Sequence, residues 1–142
     1  MTSPYDDLIK RLEEATGPSR ELDAQIWCIV KGYELDEVFS NKSFGVRDTG
    51  NGEEWIELFY NVPDFTTSLD AIIGLIVGTF DDLHSLSIKR LSKDYLVSFD
   101  AEQTALVHGS HKHWIVAICI AYIKALSARD SALRAREAAQ HG

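Results

Sequence analysis

The segment that most constrains the fold is the apolar stretch from Trp114 to Leu126. Its apolar positions at the spacing of one helix face are Ile115, Ile118, Cys119, Tyr122 and Leu126, and those that widen this face are Val116, Ile120 and Ile123. A helix with so wide an apolar face must be covered on two sides. The continuous apolar run is about half of the ~20 residues that a bilayer span requires. The stretch therefore predicts a buried helix and no membrane-spanning segment.

Three further helices are predicted from start signals that precede apolar stripes. Pro4 begins the first and Pro18 the second, because proline is favoured at the first helical position. Thr67, with Asp70 three residues later, predicts a capping box for the third. The stripes are Tyr5, Leu8, Ile9 and Leu12 in the first helix, Leu22, Ile26, Ile29, Val30 and Tyr33 in the second, and Leu69, Ile72, Ile73 and Ile76 in the third.

Two hairpins are predicted between these helices. Phe44 and Val46 precede a turn-rich stretch, and Trp55 to Tyr60 follows it as a strand that is apolar on nearly both faces. Such a strand is expected inside the sheet and not at its edge. Leu83 to Leu91 and Tyr95 to Asp100 predict the second hairpin. The following residues, 104–107, either add a short fifth strand or lead into the last helix.

Length and element order predict one α+β domain. The chain has 142 residues with 45% hydrophobic and 25% charged residues, as expected of a globular domain. Residues 1–128 are predicted to form a single α/β/α sandwich with an antiparallel sheet of four to five strands and helices packed on it, in the order ααββαββ(β)α. Residues 129–142 are predicted to form a basic, Ala-rich helical tail that frays.

Charge and cysteine usage limit the possible partners. The net charge of −8, from 14 basic and 22 acidic residues, argues against direct nucleic-acid binding, which needs clustered Lys and Arg. Acidity leaves a protein partner open. Cys28 and Cys119 lie in apolar helical patterns and are predicted core residues, as expected in a reducing compartment. The first ten residues lack a signal-peptide core, so the protein is expected in the cytoplasm.

No cofactor, metal or catalytic residue is predicted. Gly45, Gly50 and Gly52 match neither a dinucleotide-binding nor a phosphate-binding loop. Adjacent carboxylates, such as Glu13 and Glu14, diverge in helices and strands, so they are expected on solvated surfaces. A metal site at the histidines of residues 108–113 would lack a second pair of ligands.

The candidate ligand site is the segment Ser110, His111, Lys112 and His113. With Ser110 as the N-cap of the last helix, its free backbone N–H groups, Lys112 and the histidines could receive a phosphate or carboxylate. The plain alternative is an ordinary N-cap with solvated neighbours. A second hypothesis makes the apolar face around Trp114, Ile118 and Tyr122 the interface of a homo-oligomer.

Three segments carry a resemblance to a known family. They are G-P-S-R-E-L-D-A at Gly17 to Ala24, T-T-S-L-D-A-I at Thr66 to Ile72, and W-I-V-A-I-C-I-A-Y-I-K-A-L at Trp114 to Leu126. With these three segments in this order, the chain resembles the phage ABA sandwich domain family over residues 5–128. The resemblance implies an α/β/α sandwich of phage or prophage origin and implies no catalytic residues.

The expected function is that of a small phage- or prophage-derived, non-catalytic binding protein that forms homo-oligomers in the bacterial host cytoplasm. One alternative is a phage counter-defence protein that sequesters an anionic signalling nucleotide near His111 and Lys112. Another is a hydrolase-like enzyme that uses the histidines and carboxylates.

Overall fold

A computed structural model of the chain describes residues 3–31, 34–38, 44–48, 55–58, 63–101, 104 and 106–141. The helices are α1 (Pro4–Glu14), α2 (Arg20–Lys31), α3 (Leu69–Thr79) and α4 (Trp114–His141), and the strands are β1 (Glu34–Val38), β2 (Phe44–Asp48), β3 (Trp55–Leu58), β4 (Leu83–Arg90), β5 (Tyr95–Ala101) and β6 (Val107–His111). The chain is therefore α+β, as predicted. All strand pairs that the structure describes are antiparallel.

The strands form two sheets and not the single sheet that was predicted. Their orders are β1-β2-β3 and β4-β5-β6, so the described residues contain six strands where four to five were predicted, and the described elements follow the order ααβββαβββα. β1 was missed because its sequence, E-L-D-E-V, is dominated by charged residues. The two hairpins belong to different sheets, which the local pattern could not predict because it does not report which hairpins are hydrogen-bonded to each other.

The first sheet differs from prediction in the place of its aromatic strand. β3 is last in the order and, within the described strands, is hydrogen-bonded to β2 alone, through the register Gly45↔Leu58 to Asp48↔Trp55. The expectation of an interior strand was wrong. Apolar residues on both faces of a strand predict covered faces, whereas a place inside the sheet requires hydrogen-bonded neighbours on both sides. Residues 59 and 60 of the predicted strand lie outside the described part of the chain.

The second sheet contains the predicted second hairpin and one further strand. β4 pairs with β5 from Arg90↔Tyr95 to Leu83↔Ala101, with an irregularity near Ser85. β6 begins at Val107, the last residue of the segment in which a short fifth strand was one of two expectations, and it pairs with β5. α4 packs on one face of this sheet. The described side chains of the opposite face are exposed or half-buried, so among the described elements no helix covers this face as an α/β/α sandwich would require.

The core is built around α4. Every residue from Val116 to Ile123 is fully buried, because α4 lies against β5 and β6 on one side and against α1 and α3 on the other. The predicted coverage of this helix on two sides is therefore confirmed. Cys28 and Cys119 are free and buried, also as predicted. In the described part of the chain, no helix has both the length and the apolar character needed to cross a membrane.

The helix starts differ from prediction by one or a few residues. Pro4 is the first residue of α1, as predicted, and Ser3 caps it. α2 begins at Arg20, two residues after Pro18, and the backbone N–H of Leu22 donates to Ser19 Oγ at 3.4 Å. These differences are within ordinary variation at helix ends. Tyr33, the last residue of the predicted stripe, lies outside the described residues.

The cap of α3 departs from expectation, whereas the residues of the predicted tail are helical, as expected. Ser68, and not Thr67, caps α3 by accepting from the backbone N–H of Ala71 at 3.2 Å. The predicted capping box with Asp70 is therefore not formed, since the third residue after the cap is alanine. The predicted tail continues α4 as a helix to His141, with mostly exposed side chains over residues 131–140.

Candidate functional site

The segment proposed to bind an anion is divided between the end of β6 and the turn that leads into α4. Ser110 and His111 are the last residues of β6, where they pair with Leu96 and Tyr95 of β5. α4 begins only at Trp114. Ser110 is thus a strand residue with an exposed side chain and not an N-cap, which corrects the prediction. Pairing with β5 extends the strand through this polar segment, and a sequence pattern in one segment does not reveal its partner strand.

His111 is buried and both of its ring nitrogens are engaged. It is 6% exposed, its Nε2 lies 2.8 Å from the carbonyl O of Ala15, and its Nδ1 accepts from the backbone N–H of His113 at 2.9 Å. Because a carbonyl only accepts, Nε2 must carry the proton and Nδ1 must be bare. The two hydrogen bonds therefore select the neutral Nε2–H tautomer. This imidazole is a structural link in the described arrangement.

His113 makes a second link to the same turn. Its Nε2 lies 2.9 Å from the carbonyl O of Thr16, and its ring centroid is 5.5 Å from that of His111. A Cβ at Gly17 would come within 3.3 Å of His113 Nε2, so the turn lies close to the ring. The two histidines thus attach the α1–α2 connection to the residues that begin α4.

A cleft beside these histidines has an acidic lining. Its volume is about 300 Å³, and its lining residues are Glu13, Glu14, Ala15, Thr16, Asp94, Ser110, His111 and Lys112. Three carboxylates therefore face one lysine, which opposes the binding of a phosphate or carboxylate by like-charge repulsion. Three of the four predicted ligand residues, Ser110, His111 and Lys112, line this cleft, and its carboxylates give it the wrong charge for an anion.

The predicted interface residues are divided between surface and core. Ile118 and Tyr122 are fully buried within the chain, so neither can contact a second copy in this structure. Trp114 is 37% exposed. The wide apolar face of α4 packs against the sheet and helices of the same chain, so Ile118 and Tyr122 are not available for an interface. The Tyr122 hydroxyl lies 2.8 Å from Thr79 Oγ1, and burial raises the pKa of Tyr122 to about 12.

The structure shows a buried polar network that sequence reasoning did not identify. Asp23, on α2, is fully buried and accepts from the Thr66 backbone N–H and the Thr66 hydroxyl, each at 2.7 Å. Arg20 Nη1 donates to the other carboxylate oxygen at 2.9 Å. Thr66 Oγ1 also accepts from the backbone N–H of Ser19 at 3.0 Å. Four residues from two distant segments thus satisfy one another.

This network joins two separate segments of the sequence. Asp23 and Arg20 belong to G-P-S-R-E-L-D-A, and Thr66 begins T-T-S-L-D-A-I. Arg20 reaches further, to the carbonyl O of Pro63 at 3.3 Å and to the carboxylate of Asp64. Desolvation raises the pKa of Asp23, although the hydrogen bonds from Thr66 and Arg20 lower it. The polar residues of these two segments therefore hold α2 to the start of α3.

The open face of the second sheet carries a hydroxyl–imidazole pair. Ser98 Oγ on β5 lies 3.0 Å from His108 Nδ1 on β6, and these residues are cross-strand partners. Ser85, Ser87 and Ser110 are exposed on the same face. The pair could have been predicted from the sequence only by aligning β5 with β6, and that alignment requires the correct bounds of β6. A hydroxyl–imidazole pair can activate a nucleophile, but on an exposed face water competes for both groups.

Both cysteine thiols are expected to be unreactive in the folded protein. Burial raises the pKa of Cys28 to about 11 and that of Cys119 further still, so the thiolate fraction at pH 8 is very small. Titration with a thiol reagent at pH 8 should label neither thiol within minutes in native protein and both in 6 M guanidinium. Rapid labelling of Cys28 in the native protein would contradict its burial.

The described residues contain no group of three His, Cys, Asp or Glu side chains placed to hold a metal ion. The described histidines 111, 113 and 108 are instead hydrogen-bonded to backbone or to Ser98. No protein-family model, curated protein or solved structure matches this chain.

Proposed function

We propose that this chain is a small phage- or prophage-derived binding protein that acts without catalysis and works as a homo-oligomer in the bacterial host cytoplasm. The observation that carries the proposal is that two buried side chains capable of acid–base chemistry, His111 and Asp23, are engaged in hydrogen bonds within the fold. His111 bonds the Ala15 carbonyl and the His113 N–H, and Asp23 bonds Thr66 and Arg20. These groups stabilise the fold, and contact surfaces remain as the means of action.

Phage origin is supported by the way in which the family-like segments meet. The polar residues of G-P-S-R-E-L-D-A and T-T-S-L-D-A-I would have a shared reason to occur together, since Asp23 and Thr66 form one buried network. The identity of the neighbouring genes tests this part of the proposal. Phage structural, lysis or anti-defence genes would support it, and a chromosomal operon of host metabolism would contradict it.

A binding role is supported by the open face of the second sheet. β4, β5 and β6 present exposed serines and the Ser98–His108 pair on the face opposite α4. The alternative of a sequestered signalling nucleotide has less support, because Glu13, Glu14 and Asp94 line the cleft at Lys112. The hydrolase alternative rests on Ser98 and His108, whose solvent-exposed position favours a contact role.

Self-association is the directly measurable part of the proposal. We expect size-exclusion chromatography with light scattering to give at least twice the mass of one chain at micromolar concentrations. The mass should fall toward one chain on dilution if the assembly is reversible. A monomer at every concentration up to about 100 μM, where even weak specific pairs assemble, would contradict the oligomeric role.

A further inference from the structure

The edge of the second sheet is formed by its longest strand. β4 contains eight residues, lies at one end of the order β4-β5-β6 and, within the described strands, is hydrogen-bonded to β5 alone. An edge strand presents a row of backbone N–H and C=O groups that another strand can pair with. β4 is therefore a candidate surface for strand addition.

The apolar side chains at this edge extend beyond the cover of α4. α4 packs mainly on β5 and β6. Ile88 of β4 is 43% exposed, although its cross-strand partner Val97 is fully buried. Leu91, directly after β4, is 41% exposed. A strand added beside β4 would cover apolar surface that the chain leaves open, which favours association.

Charge is distributed unequally along the same segment. Asp81 and Asp82 precede β4, whereas Lys89 and Arg90 end it and Lys93 follows. No ion pair joins any of these three cations to another residue in the described part of the chain. The segment thus has an acidic start and a basic end within a chain of net charge −8.

We propose that β4 pairs antiparallel with β4 of a second copy, which joins two three-stranded sheets into one six-stranded sheet. The proposal rests on the self-association proposed above and names its surface. With Leu86 opposite Leu86 of the second copy, and with the irregularity between Leu83 and Ser85 counted as one extra residue, Arg90 of each strand lies beside Asp81 of the other. A parallel pairing would bring the basic ends together, where like charges repel. The two-fold arrangement makes each favourable contact twice.

Charge reversal at the two ends tests the arrangement in the full-length chain. Arg90→Glu and Asp81→Arg should each raise the dimer dissociation constant about tenfold or more, because each places like charges together at both ends of the pair. The double variant should recover affinity to within about threefold of wild type, because opposite charges again face each other. Sedimentation velocity measures the dissociation constants. Arg136→Glu, on the exposed part of α4, is the control with the same change of charge and should have no effect.

Ile88→Lys tests the strand edge independently of charge pairing. A lysine on an edge strand blocks strand addition, so this variant should be monomeric at concentrations where wild type is dimeric. Its melting temperature at low concentration should stay within a few degrees of wild type, because Ile88 is already largely exposed.

The outcomes separate this inference from the proposed function. A wild-type chain that is monomeric throughout would overturn both. A wild-type oligomer unaffected by Arg90→Glu and Ile88→Lys would overturn the β4 pairing and leave the oligomeric role intact. If the double variant had a dimer dissociation constant no lower than those of Arg90→Glu and Asp81→Arg alone, the antiparallel arrangement would be overturned.

Discussion

Replacing Gly109 with alanine is expected to lower the free energy of unfolding by about 3 kcal/mol or more, at or above the upper end of the usual cost of overpacking. A Cβ at this position of β6 would lie 2.5 Å from the carbonyl O of Ala117 and 2.6 Å from the backbone N of Ala121. Both are main-chain atoms of α4, so no side-chain rotation can relieve the contact. β6 would have to move away from the helix at the centre of the core.

Urea unfolding followed by circular dichroism measures this loss. The matched control is Gly74→Ala in the middle of α3, where an added Cβ meets nothing within 4 Å. This variant should gain about 0.5–1 kcal/mol, because alanine is favoured over glycine inside a helix. A Gly109→Ala protein as stable as wild type would show that β6 does not approach α4 as closely as described.

The second large effect is expected from Asp23→Ala, with a loss of about 3–5 kcal/mol in the free energy of unfolding. The substitution removes the acceptor for the buried Thr66 N–H, for the Thr66 hydroxyl and for one Arg20 donor. Thr66 is fully buried, so water cannot replace the carboxylate without a change of structure. Chemical unfolding, with the melting temperature as a second measure, detects the loss.

Asp64→Ala provides the control for the arginine contact alone. The Asp64 side chain is 62% exposed and also pairs with Arg20, so its removal should cost less than about 1 kcal/mol. Asp23→Asn should fall between the two, because its amide oxygen can still accept from Thr66. Equal effects of Asp23→Ala and Asp64→Ala would mean that the buried network contributes nothing beyond a surface ion pair.

Much of the helical structure was predictable from local chemistry. Pro4 begins α1, and the stripe of α4 indicated a helix that must be covered on two sides, which β5, β6, α1 and α3 provide. These predictions depend on residues within a few positions of each other, where spacing directly determines which side chains share a face. The same reasoning placed Cys28 and Cys119 in the core.

The predictions that failed depended on partners distant in sequence. Ser110 was expected to cap α4, but pairing with Leu96 of β5 places it in a strand. Ile118 and Tyr122 were expected at an interface, but the rest of the chain covers them. An apolar face reveals that it needs cover, and not whether that cover comes from the same chain or another.

The candidate site shows the same division. Sequence reasoning identified the histidine cluster, yet it could not show that His111 would bond the carbonyl of Ala15, 96 positions away. Asp23 and Thr66 lie in two segments that the sequence analysis singled out, but their contact could not be predicted because they are 43 positions apart. Ser98 and His108 were missed because the register that pairs them required the bounds of β6.

The sequence by itself determined an acidic α+β chain with an apolar final helix, three earlier helices and at least two hairpins, because composition and spacing act locally. Only the tertiary structure decided that the described strands form two sheets, that His111 and His113 bind backbone carbonyls and that β4 lies at an edge among the described strands. These features depend on which distant groups meet, and a hydrogen bond or a buried contact exists only when both partners are in place.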